Sequence, residues 1–320
     1  MALIKRDKKG FFFTILVISI LSLFVLSYSI YAVAKSRYSI TKRIETMNSF
    51  VFLIEKDLPK KIYVSGFRII LLFENRITKN GTYINNVTSA FNECFFNGTI
   101  YEEPQDPVLI DGITFSDIEN SLNDIARNIN VVVDLSSPKI SISQDNPWSV
   151  KINFIADLSV RDLGRLASWN RTLNINSYIS IDGNFEDPIY WIGTNGTISN
   201  KINKTIYTGF VNGEDFSNLT LHLQNSYYIN STLAPSFLDR LEGKNTPSPY
   251  GIESLVYYQK FDDQGLPFDT TKSAVDYLYF LDNHPQIYTV AGIDNRFRID
   301  NESSRHFIYQ VQGLVHPVSP

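Results

Sequence analysis

The hydrophobic pattern of the chain begins with an uninterrupted apolar run. Residues 10–34, GFFFTILVISILSLFVLSYSIYAVA, contain no charged side chain and are dominated by Phe, Ile, Leu and Val. About 20 apolar residues in a helix cross the roughly 30 Å hydrocarbon core of a bilayer. A helix buried in a soluble protein rarely stays apolar on every face over this length. The run therefore predicts one transmembrane helix, with membrane lipid as its partner.

Beyond residue 34 the apolar positions become periodic. They recur at every third or fourth residue, at Ile40, Ile44, Met47, Val51, Ile54 and Leu58. This stripe predicts that the helix leaves the membrane as an amphipathic stem over residues 35–79. Two alternatives stay open, because the stripe could pack against another subunit or dock on the chain's own head. Pro59 lacks a backbone donor and Gly66 weakens a helix, so we expect a kink or an end near Asp57 before helical spacing resumes.

Two further helices are predicted after a turn at Asn80-Gly81. The first carries apolar residues at helical spacing, at Val87, Phe91, Cys94 and Phe95. The second, over 117–129, begins with the capping-box pair Ser116 and Glu119. The stretch between them, 97–112, is rich in acidic residues and proline and is expected to be a loop.

The apolar period then changes from about 3.6 to 2, which is typical of β-strands. Alternating residues predict four strands, around 131–135, 140–142, 150–160 and 173–181, with Ser137-Pro138 separating the first two. Short connections and regular alternation indicate an antiparallel meander with one exposed face, packed on the preceding helix. Residues 80–182 are thus predicted to form an α+β head.

The pattern is weaker after residue 182. Trp191 to Gly213 suggests short strands or hairpins, and Ala234 to Leu241 suggests a brief helix introduced by Pro235. Residues 183–320 are therefore predicted to be a further β-rich region. The whole chain is expected to be α+β, with a basic stub over 1–9, the transmembrane helix over 10–34, the stem, the head and this region.

The charge is unevenly distributed along the chain. Residues 1–43 hold eight of the 29 Lys and Arg residues but only one of the 33 Asp and Glu residues. The remaining acidic part argues against nucleic acid as a partner, because phosphate binding requires clustered basic residues. Basic residues flank the apolar run on both sides, where anionic lipid headgroups are their expected partners. The charge count alone therefore does not orient the span.

Glycosylation sequons indicate the orientation that the charge count leaves open. Nine Asn-x-Ser/Thr triplets occur, and all lie beyond the apolar run, at Asn80, Asn86, Asn97, Asn170, Asn195, Asn203, Asn218, Asn230 and Asn301. They predict a glycosylated C-terminal bulk outside the cytoplasm, with the stub of residues 1–9 inside.

Candidate chemistry is sparse in the sequence. Cys94 is the single cysteine, so no intrachain disulfide can form, and we expect it to be a core hydrophobe. Two acid-rich loops do not match a calcium-binding loop, so their acids are expected to be solvated: Asp262, Asp263, Asp269, Asp294, Asp300 and Glu302. Four histidines lack metal-binding spacing and are expected to be surface or loop residues: His222, His284, His306 and His316. We therefore expect no catalytic site, no metal and no cofactor.

The N-terminus suggests a family. The segment Lys8-Lys9-Gly10-Phe11-Phe12-Phe13-Thr14, followed by an apolar run, an amphipathic helix and an antiparallel sheet, resembles type IV pilin-like proteins, archaeal ones in particular. The resemblance implies cleavage between Gly10 and Phe11, a hydrophobic helix packed in a filament core, other pilin-like subunits as partners, and a β-rich head facing outward. Ile15 stands where major pilins carry Glu, which implies a minor or accessory role.

Alternatives remain for both processing and function. Ala32-Val33-Ala34 is a possible signal-peptidase site, although the apolar run is longer than a usual signal sequence, and an uncleaved anchor is the third fate. The expected function is that of a non-enzymatic, single-pass surface protein in a pilus-like or envelope assembly. The alternative is a stand-alone, membrane-anchored domain for ligand binding or adhesion, and a secreted-side hydrolase would rest only on unassigned acids.

Overall fold

The computed structural model describes residues 8–281, 285–302 and 305–318. Its helices are α1 (Lys8–Asn80), α2 (Val87–Asn97), α3 (Pro107–Ile110), α4 (Phe115–Arg127), α5 (Pro188–Gly193), α6 (Ser217–Asn225), α7 (Phe237–Leu241), α8 (Tyr258–Asp263), α9 (Asp276–Leu281) and α10 (Arg305–Ile308). Its strands are β1 (Thr99–Ile100), β2 (Glu103–Pro104), β3 (Val131–Asn146), β4 (Ser149–Asp162), β5 (Ser168–Ser180), β6 (Tyr228–Asn230), β7 (Ile252–Ser254), β8 (Ile287–Val290), β9 (Ile299–Asp300) and β10 (Val315–Pro317). The fold is α+β, with small antiparallel sheets after a long N-terminal helix.

Helix α1 is one continuous element of 73 residues. At about 1.5 Å per residue it is roughly 110 Å long. The predicted break near Asp57 is wrong, because the helix continues through Pro59. Leu58 and Ile62 on either side are fully buried, and the Pro59 carbonyl accepts a hydrogen bond from the Ser177 hydroxyl at 3.1 Å. Packing on the head therefore outweighs the loss of one backbone donor.

The amphipathic stripe docks on the chain's own head. Met47, Val51, Ile54 and Leu58 are buried, whereas Ile44, nearer the apolar run, is 39% exposed. Of the two alternatives for the stripe, intramolecular packing is therefore the one observed from Met47 onward.

The central sheet is the antiparallel meander β3-β4-β5. The first two predicted strands are in fact the single strand β3, so the meander has three strands rather than four. A register shift between Ser136 and Lys139 places one extra residue opposite β4, and Ser137 has a φ of 51°. This bulge accommodates Pro138, which cannot donate to the ladder, and it explains why the buried positions change from odd to even numbers.

One face of the sheet is buried under helices. Six alternate residues of β4 are buried, namely Val150, Ile152, Phe154, Ala156, Leu158 and Val160. The Phe154 ring lies 6.0 Å from that of Phe95 in α2 and 6.4 Å from that of Phe115 in α4. Helix α1 covers β4 and β5 beside these aromatic residues. The other face of the sheet is more exposed, as the alternation predicts.

Two local predictions around α4 are corrected. The helix begins at Phe115, and its capping box is formed by Thr114 and Asp117 rather than by Ser116 and Glu119. The two pairs overlap in sequence, and the Thr114 side chain is the one that accepts from an orphan backbone N–H. The predicted loop over 97–112 contains the β1-β2 hairpin and α3.

The described part of 183–320 contains six short helices as well as five short strands, so the prediction of a β-rich region is wrong. Trp191 lies in α5, where short strands were expected. The brief helix predicted at 234–241 is present as α7, whose capping box joins Ser236 and Asp239. A second cluster of buried apolar residues, including Leu223, Leu278 and Phe297, forms within this region.

Gly66 allows α1 to approach the sheet closely. A Cβ atom at this position would lie 2.7 Å from Ile179 Cδ1 and 2.8 Å from Ile152 Cγ1. We expect Gly66→Val to lower the free energy of unfolding by about 1–3 kcal/mol through overpacking. Denaturant unfolding of the full chain in detergent measures the effect. Lys60→Val, which adds the same side chain on the exposed face of α1, is the control, and equal losses in the two variants would contradict the close approach.

Candidate functional site

The first half of α1 is the most exposed apolar surface of the molecule. Every residue from Gly10 to Ser39 is exposed, with 72% exposure at Phe24 and 75% at Tyr28. No part of its most apolar window is buried. In the part of the chain that the structure describes, this is the one helix long and apolar enough to cross a membrane. Exposure of so much apolar surface to water would be unfavourable, so it requires lipid or another protein around it.

The proposed processing position lies at the start of this helix. Gly10 and Phe11 are both helical and exposed, and no heavy atom lies within 4 Å of the position where a Gly10 Cβ would stand. The Thr14 hydroxyl donates to the Phe11 carbonyl at 2.8 Å. Ile15 is 46% exposed. Residues 1–7 of the stub lie outside the described residues.

The nine sequons map to accessible positions. Eight of the asparagines are exposed, and Asn203 is half-buried. Asn86 also caps α2, because its side-chain oxygen accepts from the Ser89 N–H at 2.8 Å. Along the chain, the asparagines are distributed from the end of α1 through the head to the C-terminal region.

A buried ionic group, the Arg240 cluster (Arg240, Asp187 and Asp276), lies in the C-terminal region. All three side chains are inaccessible to solvent. Arg240 Nη1 donates to Asp187 Oδ2 at 2.5 Å and to Asp276 Oδ2 at 2.9 Å. The hydroxyl of Tyr228 donates to Asp187 at 2.8 Å. Burial lowers the pKa of Arg240, but the two carboxylates raise it more, so the guanidinium stays charged.

The Arg305 cluster (Arg305, Glu253 and Asp300) is a second buried ionic group that also joins one arginine to two carboxylates. Its ionic side chains are also inaccessible to solvent. Arg305 contacts Asp300, donates to Glu253 Oε2 at 3.3 Å and donates to the Tyr277 hydroxyl at 2.8 Å. The two clusters are connected through neighbouring residues of the chain. Ser254 donates to Asp276 of the Arg240 cluster, and the preceding residue, Glu253, belongs to the Arg305 cluster. Asp276 is likewise followed by Tyr277, whose hydroxyl accepts from Arg305. The pairs of Arg240 with Asp187 and of Arg305 with Glu253 link short segments more than 50 residues apart in the sequence.

Neither cluster is predicted from the sequence, and the expectation that Asp300 is a solvated loop acid is wrong. Asp300 is fully buried rather than a solvated loop acid. Asp262 and Asp294, in contrast, are partly exposed and both pair with Arg296. No sequence signal links Arg240 to Asp187, which lies 53 residues away.

Two of the four histidines are also buried, contrary to expectation. His222 is fully buried, and burial lowers its pKa to about 3. His306 is 5% exposed, His316 is exposed, and His284 lies outside the described residues. Cys94 is buried as predicted, and burial raises the pKa of its thiol to about 12. Within the described ranges, no group of three or more His, Cys, Asp or Glu side chains is arranged to hold a metal ion.

A small cavity lies between α1 and α5. It has a volume of about 240 Å³, and its walls include Glu74, Glu186 and Trp191. Glu74 Oε1 accepts from the Glu186 N–H at 2.7 Å. The buried Glu186 Oε2 atom has no hydrogen-bond partner among the described residues. Burial raises the pKa of Glu74 to about 8, and the nearby Glu186 and Asp187 carboxylates also raise it.

The raised pKa of Glu74 predicts a pH-dependent stability. The unfolded chain ionises Glu74 near pH 4.5, whereas the folded chain keeps this proton up to about pH 8, so the contribution to stability falls as the pH rises between these values. In Glu74→Gln this loss is absent, and the amide keeps an acceptor for the Glu186 N–H. We expect the variant to unfold like the parent at pH 4.5 and to be more stable by on the order of 3 kcal/mol at pH 8.

Denaturant unfolding of the full chain at both pH values measures this difference. Glu214→Gln, at an exposed position, is the control and should leave stability unchanged at either pH. A gain for Glu74→Gln that is the same at pH 4.5 and pH 8 would show that titration of Glu74 is not its cause.

Comparisons with known proteins identified no relative of this chain. No protein-family model, no curated protein and no solved structure matches the chain.

Proposed function

We propose that the chain is a single-pass surface protein, anchored by residues 10–34, that acts as a minor or accessory pilin-like subunit of a type IV pilus-like or envelope assembly. The supporting observation is the division of α1 into two halves. Its first half is apolar and fully exposed, and its second half forms part of the head's core. One rigid helix therefore connects the head to whatever surrounds the apolar half.

The proposed orientation has the head outside the cytoplasm. Eight exposed sequon asparagines beyond the span support it. We predict that mass spectrometry finds glycan on peptides spanning Asn170 and Asn195, in a host that glycosylates its other surface proteins. The cytoplasmic orientation would leave both asparagines bare in that host.

Assembly through the apolar half of α1 is the pilin-like part of the proposal. Filament preparations and washed membranes from the same cells are compared for the protein, and its N-terminus is sequenced in each. Co-purification with filaments and a mature chain that begins at Phe11 support the proposal. An intact N-terminus and exclusive membrane residence favour a stand-alone anchored domain, and a chain beginning at Lys35 overturns membrane anchoring altogether.

The cavity between α1 and α5 favours the second candidate, an anchored extracytoplasmic binding domain. The unpartnered Glu186 oxygen and the neighbouring Trp191 side chain would suit a small cationic ligand. A thermal-shift screen of small amines with Glu186→Gln as the control tests it. A stabilisation that the variant loses supports binding, and no stabilisation by any amine counts against it. We expect no catalytic activity in either case.

A further inference from the structure

The β4-β5 loop, residues 163–167, lies at the end of the head nearest the apolar run. Contacts along α1 fix this direction: Arg43 bonds to Asp162, Glu55 to Arg171, and the Pro59 carbonyl to Ser177. Positions of α1 further from the apolar run thus contact residues of β5 that are further from the loop. The loop is therefore the part of the sheet closest to any membrane that the helix crosses.

The loop is firmly attached to the helix. Arg43 Nε donates to Asp162 Oδ1 at 2.6 Å, and Arg43 Nη2 donates to the Asn130 carbonyl at 2.8 Å. Asp162 Oδ2 accepts from the Leu166 N–H at 3.2 Å, and the Leu163 N–H donates to the Asn130 carbonyl at 3.1 Å. These bonds hold the loop at the level of residue 43.

Two leucines project from this loop into solvent. Leu163 is 62% exposed and Leu166 is 50% exposed, although the backbone N–H of each is hydrogen-bonded within the head. Exposed apolar side chains on a fixed loop are unfavourable in water and are favourable at a lipid interface. Arg161 and Arg165, both exposed, flank them with positive charge.

The stretch of α1 between the apolar run and the loop is also basic. Lys35, Arg37 and Lys42 are exposed on α1 between the apolar run and the loop, and Glu45 is an exposed acid on the same stretch. Positive charge beside exposed leucines matches an anionic bilayer surface, to which each Lys or Arg is attracted.

The distances allow contact. Arg43 lies nine positions beyond Ala34, a rise of about 14 Å along the helix. The apolar run of 25 residues is about 7 Å longer than a 30 Å hydrocarbon core requires, and such an excess is accommodated by tilt. A tilt towards the β4-β5 loop lowers that side of the head into the headgroup region.

We propose that the β4-β5 loop is a second membrane contact, in which Leu163 and Leu166 enter the interface and Arg161 and Arg165 bind anionic headgroups. The inference rests on the proposed membrane anchoring by α1. It fixes the tilt of the head relative to the bilayer, because the helix and the loop then touch the membrane at two separate points.

The test uses the full chain reconstituted in phosphatidylcholine vesicles with and without phosphatidylglycerol. A fluorophore is attached at Ser168→Cys, which is exposed beside the loop and leaves the loop residues intact. The matched control is Tyr178→Cys, 48% exposed and about 33 Å away along the same strand. The native Cys94 is buried, and its raised thiol pKa keeps it unlabelled. Lipids with a nitroxide on the headgroup act as quenchers.

We expect strong quenching at residue 168 in anionic vesicles and none at residue 178. Arg161→Gln combined with Arg165→Gln should weaken the contact by roughly 25-fold, at about fivefold for each arginine. Leu163→Ser combined with Leu166→Ser should abolish the quenching. Equal, weak quenching at both labelled positions overturns the proposal.

Two further measurements distinguish a failure of the membrane anchoring from a failure of the proposed loop contact. A label at Leu23→Cys, quenched by acyl-chain nitroxides, reports insertion of α1 alone; if it is not quenched, the membrane anchoring itself has failed. A change in the emission of the residue 168 label that depends on protein density but not on quencher lipid would show that a second copy of the chain covers the loop, and it would overturn the membrane contact.

Discussion

Arg240→Met is expected to destabilise the protein by about 3–5 kcal/mol, because it leaves two carboxylates buried without a counter-charge. Asp187 and Asp276 are both inaccessible to solvent, and Arg240 also donates to the Ile252 carbonyl. A loss of this size is comparable with the whole stability of many domains. Denaturant unfolding of the full chain in detergent measures it, and poor recovery of folded protein is an equivalent result.

Two comparison variants make this prediction specific. Arg127→Met removes an arginine from the exposed pair with Asp124 and should change stability by less than about 0.5 kcal/mol. Adding Asp187→Asn and Asp276→Asn to Arg240→Met should recover part of the lost stability, because no unpaired charge remains buried. If the triple variant is no more stable than the single one, the lost packing of Arg240 is responsible instead of its charge.

Two arginines in the middle of the apolar run, Leu21→Arg and Leu23→Arg, are expected to prevent stable membrane insertion. Each arginine near the centre of a transmembrane helix costs about 2.5–3.5 kcal/mol on the insertion scale. Both leucines are exposed on α1, so neither substitution disturbs the packed head. Alkaline extraction of membranes should release the double variant and leave the parent chain in the membrane pellet.

The control places the same charges on the head. Ile206 and Leu221 are 75% and 41% exposed, and Ile206→Arg with Leu221→Arg should leave extraction unchanged. Retention of the Leu21 and Leu23 double variant in the pellet would mean that the run is held by protein contacts rather than by lipid.

The local periodic signals predicted most of the first 182 residues. Ile69 and Phe73 are buried on one face of α1, and Val87 and Phe91 are buried on one face of α2. In each case the repeating distance between apolar residues determines which face is buried, whatever the tertiary partner. The interruptions were less predictable. Pro59 was expected to end a helix that packing maintains, and Ser137-Pro138 was expected to separate strands that share one partner, β4.

The structure of the C-terminal region, residues 183–320, could not be predicted from local patterns. Its elements are short, so few turns or alternations accumulate within any one of them, and segments such as α9 are stabilised by distant partners. Asp276 in α9 pairs with Arg240, and Asp300 in β9 pairs with Arg305. A charged residue in a polar stretch of sequence is normally solvated, and only its three-dimensional neighbours show that it is buried and paired. The Glu74 cavity depends in the same way on α1 and α5 meeting.

The most direct test of the account is the sidedness of the chain in intact cells. Two variants, Leu3→Cys in the stub and Ile206→Cys on the head, are treated with a maleimide that cannot cross membranes. Ile206 is 75% exposed. The buried Cys94, with its raised pKa, serves as the unreactive background. We expect Ile206→Cys to be labelled in intact cells, and Leu3→Cys, in precursor chains that still carry the stub, to be labelled only after the cells are lysed. Labelling of Leu3→Cys in intact cells, with Ile206→Cys protected until lysis, would contradict the account.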